Sequence, residues 1–95
     1  MTYRKRPIEV EAWQFELGAA RPEWVADAVA SETLSFGATL FKDGDIRFWM
    51  DITTFEGSMY GYPGDWIIQG VEGELYPCKD SVFQKTYEEV PCESS

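Results

Sequence analysis

Hydrophobic and polar positions alternate with a period of two along most of this chain, and a helical spacing interrupts the pattern once. Ile8, Val10 and Ala12 alternate with Glu9, Glu11 and Trp13, which predicts a β-strand from about Pro7 to Phe15 with its carboxylates on a solvated face or edge. Gly18-Ala19-Ala20 reads as a connector. Pro22 suits a first helical turn and Glu23 suits the positive end of a helix dipole. Trp24, Val25, Ala28 and Val29 then fall at helical spacing, predicting a helix from about Pro22 to Ser31. Alternation resumes from Thr33 to Lys42, with Leu34, Phe36, Ala38 and Leu40 on one face. Asp43-Gly44-Asp45 supplies a hairpin turn, and Ile46 to Met50 returns as its partner. Ile52 to Phe55 continues as strand, Glu56-Gly57-Ser58 turns the chain, and Met59 to Tyr62 approaches a proline.

The segment from Pro63 to Tyr87 is the densest in signals. Pro63-Gly64-Asp65 combines a pre-set φ with a residue that accepts positive φ, so it predicts a tight reverse turn. Trp66-Ile67-Ile68 reads as a buried strand, Gly70-Val71-Glu72-Gly73 as a turn and Glu74-Leu75-Tyr76 as another strand. Asp80-Ser81-Val82-Phe83 opens a short helix. The pattern as a whole predicts one α+β domain over residues 1–95, frayed at 1–5 and 91–95. Its expected form is a curved, partly barrel-like antiparallel sheet of about five to seven short strands, packed by the helix of the N-terminal half. Ile8, Val10, Trp24, Phe36, Ile46, Ile52, Ile67, Leu75 and Phe83 are the expected core.

Composition narrows the function classes. The net charge of −9 argues against a nucleic-acid duplex as partner, because phosphate binding needs a surplus of Lys and Arg. An acidic surface competing with DNA for a basic protein stays open. No apolar run has the length of a signal or membrane segment, so the expected setting is a cytoplasm with reduced thiols. Cys78 is expected to be a buried thiol, with no disulfide to Cys92. The chain has no His, no closely spaced Cys pair, no phosphate loop and no nucleophile elbow. A metal, a cofactor and a catalytic role are therefore not expected. Asp43 and Asp45 are explained by turn chemistry before metal chemistry.

Fifteen aromatic residues are many for so short a chain, and Trp and Tyr carry polar atoms that resist complete burial. Aromatic faces stack on nucleobases, and the Arg fork matches phosphate. Arg4, Arg6, Arg47, Trp49, Trp66 and Tyr76 are the candidate ligand-binding residues, the arginines for phosphate and the aromatics for stacking. A Trp-rich core with arginines lying over it is the competing explanation of the same residues. Exposed aromatics and strand edges also suggest a homo-oligomer.

Tyr3-Arg4-Lys5-Arg6-Pro7, Glu11-Ala12-Trp13-Gln14 and the block from Pro63 to Tyr87, with Tyr76-Pro77-Cys78-Lys79 and Phe83, resemble a group of small proteins carried by tailed bacteriophages and prophages. That group is similar to the Pro-Gly-Asp-Tyr-Gly family. Trp66 stands here at the Tyr position, Ile67 at the following Gly, and Asp80 directly after Lys79 where many relatives have Pro. The resemblance implies a setting, a phage protein in the host bacterial cytoplasm, and no reaction. By analogy with small acidic phage proteins, the expected function is non-catalytic: binding and neutralising a host factor, with a small nucleotide-type immune signal as the leading ligand. The alternatives are an acidic protein–protein inhibitor or DNA mimic of a host enzyme, and a minor virion structural protein.

Overall fold

The computed structural model describes residues 1–3 and 8–89. In chain order the elements are β1 (Glu11–Gln14), α1 (Glu23–Ala30), β2 (Leu34–Leu40), β3 (Ile46–Thr54), β4 (Gly57–Gly61), β5 (Trp66–Gln69), β6 (Leu75–Cys78) and α2 (Asp80–Thr86). All strand pairings are antiparallel. β2, β3 and β4 form a meander in which Leu34 faces Ile52 and Met50 faces Gly61. The second sheet has the order β1-β5-β6, with Trp13 opposite Ile67 and Ile67 opposite Pro77. The class is α+β, as the periodicity predicts. In place of one partly closed sheet there are two open three-stranded sheets, and the short helix begun at Asp80 completes a second helix.

The Pro63-Gly64-Asp65 turn explains the division. Gly64 has φ +97°, a region closed to most side chains, and the Asp65 N–H donates to the Tyr62 carbonyl at 2.9 Å. The turn redirects the chain, so β5 pairs with β1 and not with β4. Phe15 N–H donates to Asp65 O at 2.8 Å and Gly64 N–H donates to Phe15 O at 2.7 Å, continuing the β1–β5 ladder into the turn. Asp65 is 8% exposed, and its carboxylate accepts the Tyr62 N–H at 2.9 Å and the Lys79 ammonium at 3.1 Å. Pro77 is tolerated because β6 is an edge strand and its missing N–H faces away from β5.

Strand pleating separates two apolar layers. Leu34, Met50 and Ile52 from one sheet meet Phe15, Ile67 and Leu75 from the other, with Val25 and Ala28 of α1 closing the main core. Ile68, pointing to the opposite side of its sheet, is also fully buried. On that side Phe83 of α2 stacks on Trp66 with ring centroids 3.8 Å apart and an interplanar angle of 5°. Eight residues are too few for a stable isolated helix, so α1 depends on burying Val25 and Ala28. Its start closes on the Pro22 carbonyl, and its end unwinds at Glu32, where φ is 64°.

The expected core is corrected at two positions: Ile8 is 51% and Ile46 is 56% exposed. Ile8 precedes the paired part of β1, and Ile46 lies at the hairpin end of β3, beyond the reach of the second sheet. Val10, Trp24, Phe36 and Phe83 are half-buried, whereas Ile52, Ile67 and Leu75 are buried as expected. Cys78 is a free thiol, half-buried and not buried, because it ends β6 where the chain leaves the sheet; Cys92 lies outside the described residues.

Asp65→Ala removes the acceptor of the Tyr62 N–H. The Lys79 side chain is 65% exposed, so loss of the ion pair itself adds little. A destabilisation of about 1–2 kcal/mol is expected, read as a lower urea midpoint at unchanged slope.

Candidate functional site

The end of the β2–β3 hairpin overhangs the core, and an open groove of about 870 Å³ runs along it, lined by Thr39, Phe41, Arg47, Trp49, Tyr60 and Tyr62 among others. Strand alternation puts Arg47 and Trp49 on one face of β3, and the register that sets Asp51 against Tyr60 brings Tyr60 and Tyr62 of the adjoining segment beside them. Trp49 lies flat over Gly37, where any Cβ would run into its indole ring. Its Nε1 donates to the Thr39 hydroxyl at 3.2 Å, and Tyr60 meets its edge with centroids 6.3 Å apart at 77°. The indole is thereby held from below, from the side and by its polar atom.

Arg47 supplies the cation. Its guanidinium sits 4.6 Å from the Phe41 ring centre and 3.7 Å from the Asp45 carboxylate, and both charged side chains are largely exposed. At the other end, the Lys79 ammonium lies 5.3 Å from the Tyr62 ring centre while bound to Asp65, so the turn that divides the sheets also places the groove's last aromatic ring. A rigid aromatic wall beside an accessible bidentate donor suits a flat ligand with an anionic group.

Of the residues singled out from sequence, Arg47 and Trp49 come together here. Trp66 and Tyr76 do not line the groove; they occupy the other sheet beneath α2. Trp66 stacks on Phe83 and donates from Nε1 to Asp80 Oδ1 at 2.9 Å, which holds the Asp80 carboxyl below its usual range, with Gln84 adding a second hydrogen bond. Tyr76 shares a 3.4 Å hydroxyl contact with Tyr87. Burial first, then that hydrogen bond, pushes the Tyr76 phenol well above its ordinary value. Burial and then the Asp65 charge also raise the Cys78 thiol. Arg4 and Arg6 lie outside the described residues. Phe41 was not visible as a site residue in the sequence; its signal is its position one step past β2, on the same face as Thr39. No family model matches this chain, and no curated protein or solved structure shows significant similarity to it. Among the described residues no helix is long and apolar enough to cross a membrane.

Gly37→Ala forces the Trp49 indole off its seat. A loss of about 1–3 kcal/mol in stability and an altered tryptophan emission spectrum are expected. Tyr76 gives a second outcome. The native state holds this proton to higher pH than the unfolded chain, so the stabilisation is complete below the ordinary tyrosine pKa of about 10 and declines as pH rises above it. Urea melts across that range should show a smaller decline for Tyr76→Phe than for the natural chain.

Proposed function

We propose that this chain is a binding protein whose hairpin groove takes a compact planar molecule carrying an anionic group, of the nucleotide type. The observation that supports this reading is the meeting of Trp49, Tyr60 and Tyr62 with Arg47 along one open face. Aromatic stacking contributes on the order of 1–3 kcal/mol per base, and the exposed Arg47–Asp45 pair is easily opened to admit a phosphate. A groove lined by one arginine in an acidic chain suits a small ligand far better than a run of phosphates. In the setting the resemblance implies, a phage protein in a bacterial host, such binding withdraws a nucleotide signal from host defence by sequestration, without turnover.

A second reading, a protein–protein inhibitor, is favoured by one observation. The groove is open and adjoins Phe41, Ile46 and Phe48, which are all exposed. Trp, Tyr and Arg are the residues that dominate protein interfaces.

Thermal-shift and calorimetric titration with cyclic dinucleotides, cyclic mononucleotides and ADP-ribose derivatives separates the two. The expected result is one ligand that raises the melting temperature, is recovered intact after denaturation, and loses roughly tenfold or more in affinity with either Trp49→Ala or Arg47→Ala. Altered ligand on recovery overturns the non-catalytic reading. No response to any of these compounds, with stable capture of a host protein that Trp49→Ala abolishes, replaces the nucleotide reading with the inhibitor.

A further inference from the structure

A second pocket, of about 250 Å³, opens between the loop that follows β1 and the β2–β3 hairpin. Strand alternation puts two of its walls, Phe36 and Phe48, on the face of the hairpin opposite Trp49. Phe36, Trp13 and Phe15 pack against one another, with ring centroids 5.1 to 6.1 Å apart, and form a continuous aromatic floor. The loop at the lip is fixed as well. Ala19 N–H donates to Glu16 O at 3.1 Å around Gly18, whose φ is +81°, and the Trp13 indole N–H donates to Ala20 O at 2.9 Å. The pocket is therefore formed before any ligand arrives.

The charged residues that line it are Arg21 and Glu16, and both are exposed. The Arg21 guanidinium carbon sits 4.4 Å from the centre of the Phe36 ring, which positions the fork at the pocket. Among the described residues the ion pairs are Arg47–Asp45 and Lys79–Asp65, so Arg21 and Glu16 stand at one small pocket without pairing with each other.

We infer that this pocket binds a free α-amino acid with a compact aromatic side chain. Arg21 takes the carboxylate, Glu16 takes the ammonium, and the ring lies among Trp13, Phe36 and Phe48. Three observations select this occupant. The volume falls below the range of about 300–1,000 Å³ usual for drug-sized ligands, so the pocket is too small for a nucleotide and admits a single ring. The floor is made of aromatic faces and edges, on which another ring packs well. The lip carries one charge of each sign. A simple acid or a simple amine satisfies one of them and leaves the other opposed, whereas a zwitterion matches both. This binding is independent of what the hairpin groove takes.

The test is a titration of the full chain with L-phenylalanine, followed by nuclear magnetic resonance. The Trp13 indole N–H and the Gly18 amide should shift saturably. 3-Phenylpropionate lacks the ammonium and phenethylamine lacks the carboxylate, so each should bind roughly tenfold more weakly or worse. Arg21→Gln, at an exposed position, should weaken L-phenylalanine by about tenfold or more with an unchanged circular dichroism spectrum. Glu16→Gln, in the exposed turn, serves even if the arginine variant does not fold. It should weaken L-phenylalanine and leave 3-phenylpropionate no weaker than before. The inference is overturned if L-phenylalanine gives no saturable shift at millimolar concentration. It is equally overturned if either analogue binds as tightly as L-phenylalanine, or if the affinity survives either substitution.

Discussion

The carboxylate of Asp65 is the point on which the architecture turns. It sits where the chain leaves one sheet for the other, and it closes the Tyr62–Asp65 turn by accepting the Tyr62 N–H. Its backbone carbonyl at the same time joins β1 through Phe15. Without that reversal β5 has no reason to leave β4, and the apolar faces carrying Met50 and Ile67 do not come together across a common core. Lys79 reaches the same carboxylate from the start of α2, so the helix covering the second sheet is anchored at the turn as well. The turn and the Tyr76-Pro77-Cys78-Lys79 segment, separated along the chain, are therefore two halves of one structural device.

A small core imposes the second constraint. β3 runs for nine residues, but the second sheet is wide enough to cover only its later half, where Met50 and Ile52 are fully buried. The hairpin from Ala38 to Phe48 projects past that cover. Its apolar residues stay in water on one face, and its aromatic residues organise around Gly37 and Thr39 on the other. The groove is thus a consequence of that overhang.

Much of the fold was legible because periodicity and turn chemistry agree locally. The helix at Glu23–Ala30, the Asp43-Gly44-Asp45 hairpin and the paired strands around it follow from spacing alone, and the hairpin's Asp45 N–H is satisfied by the Asp43 side chain. Of the candidate site, Arg47 and Trp49 were recognisable as alternate residues of one strand. Tyr60 and Tyr62 were visible as aromatics, but nothing local says that they stand beside Trp49; that depends on the β3–β4 register. Trp66 and Tyr76 have the same composition and character, and their role as packing under α2 is set by residues 11 to 17 positions further along.

The sequence by itself determined the α+β class, the positions of most strands and the tight turn at Gly64. Each of these rests on local backbone preference, which residue order carries directly. Only the tertiary structure decided that the strands divide into two sheets, which face of each strand is covered, and which aromatics share a groove. Those outcomes depend on pairing between distant segments. Ile46 and Ile67 are the same residue type in similar strands, yet one is exposed and the other buried, because one lies past the end of the opposing sheet and the other lies against it.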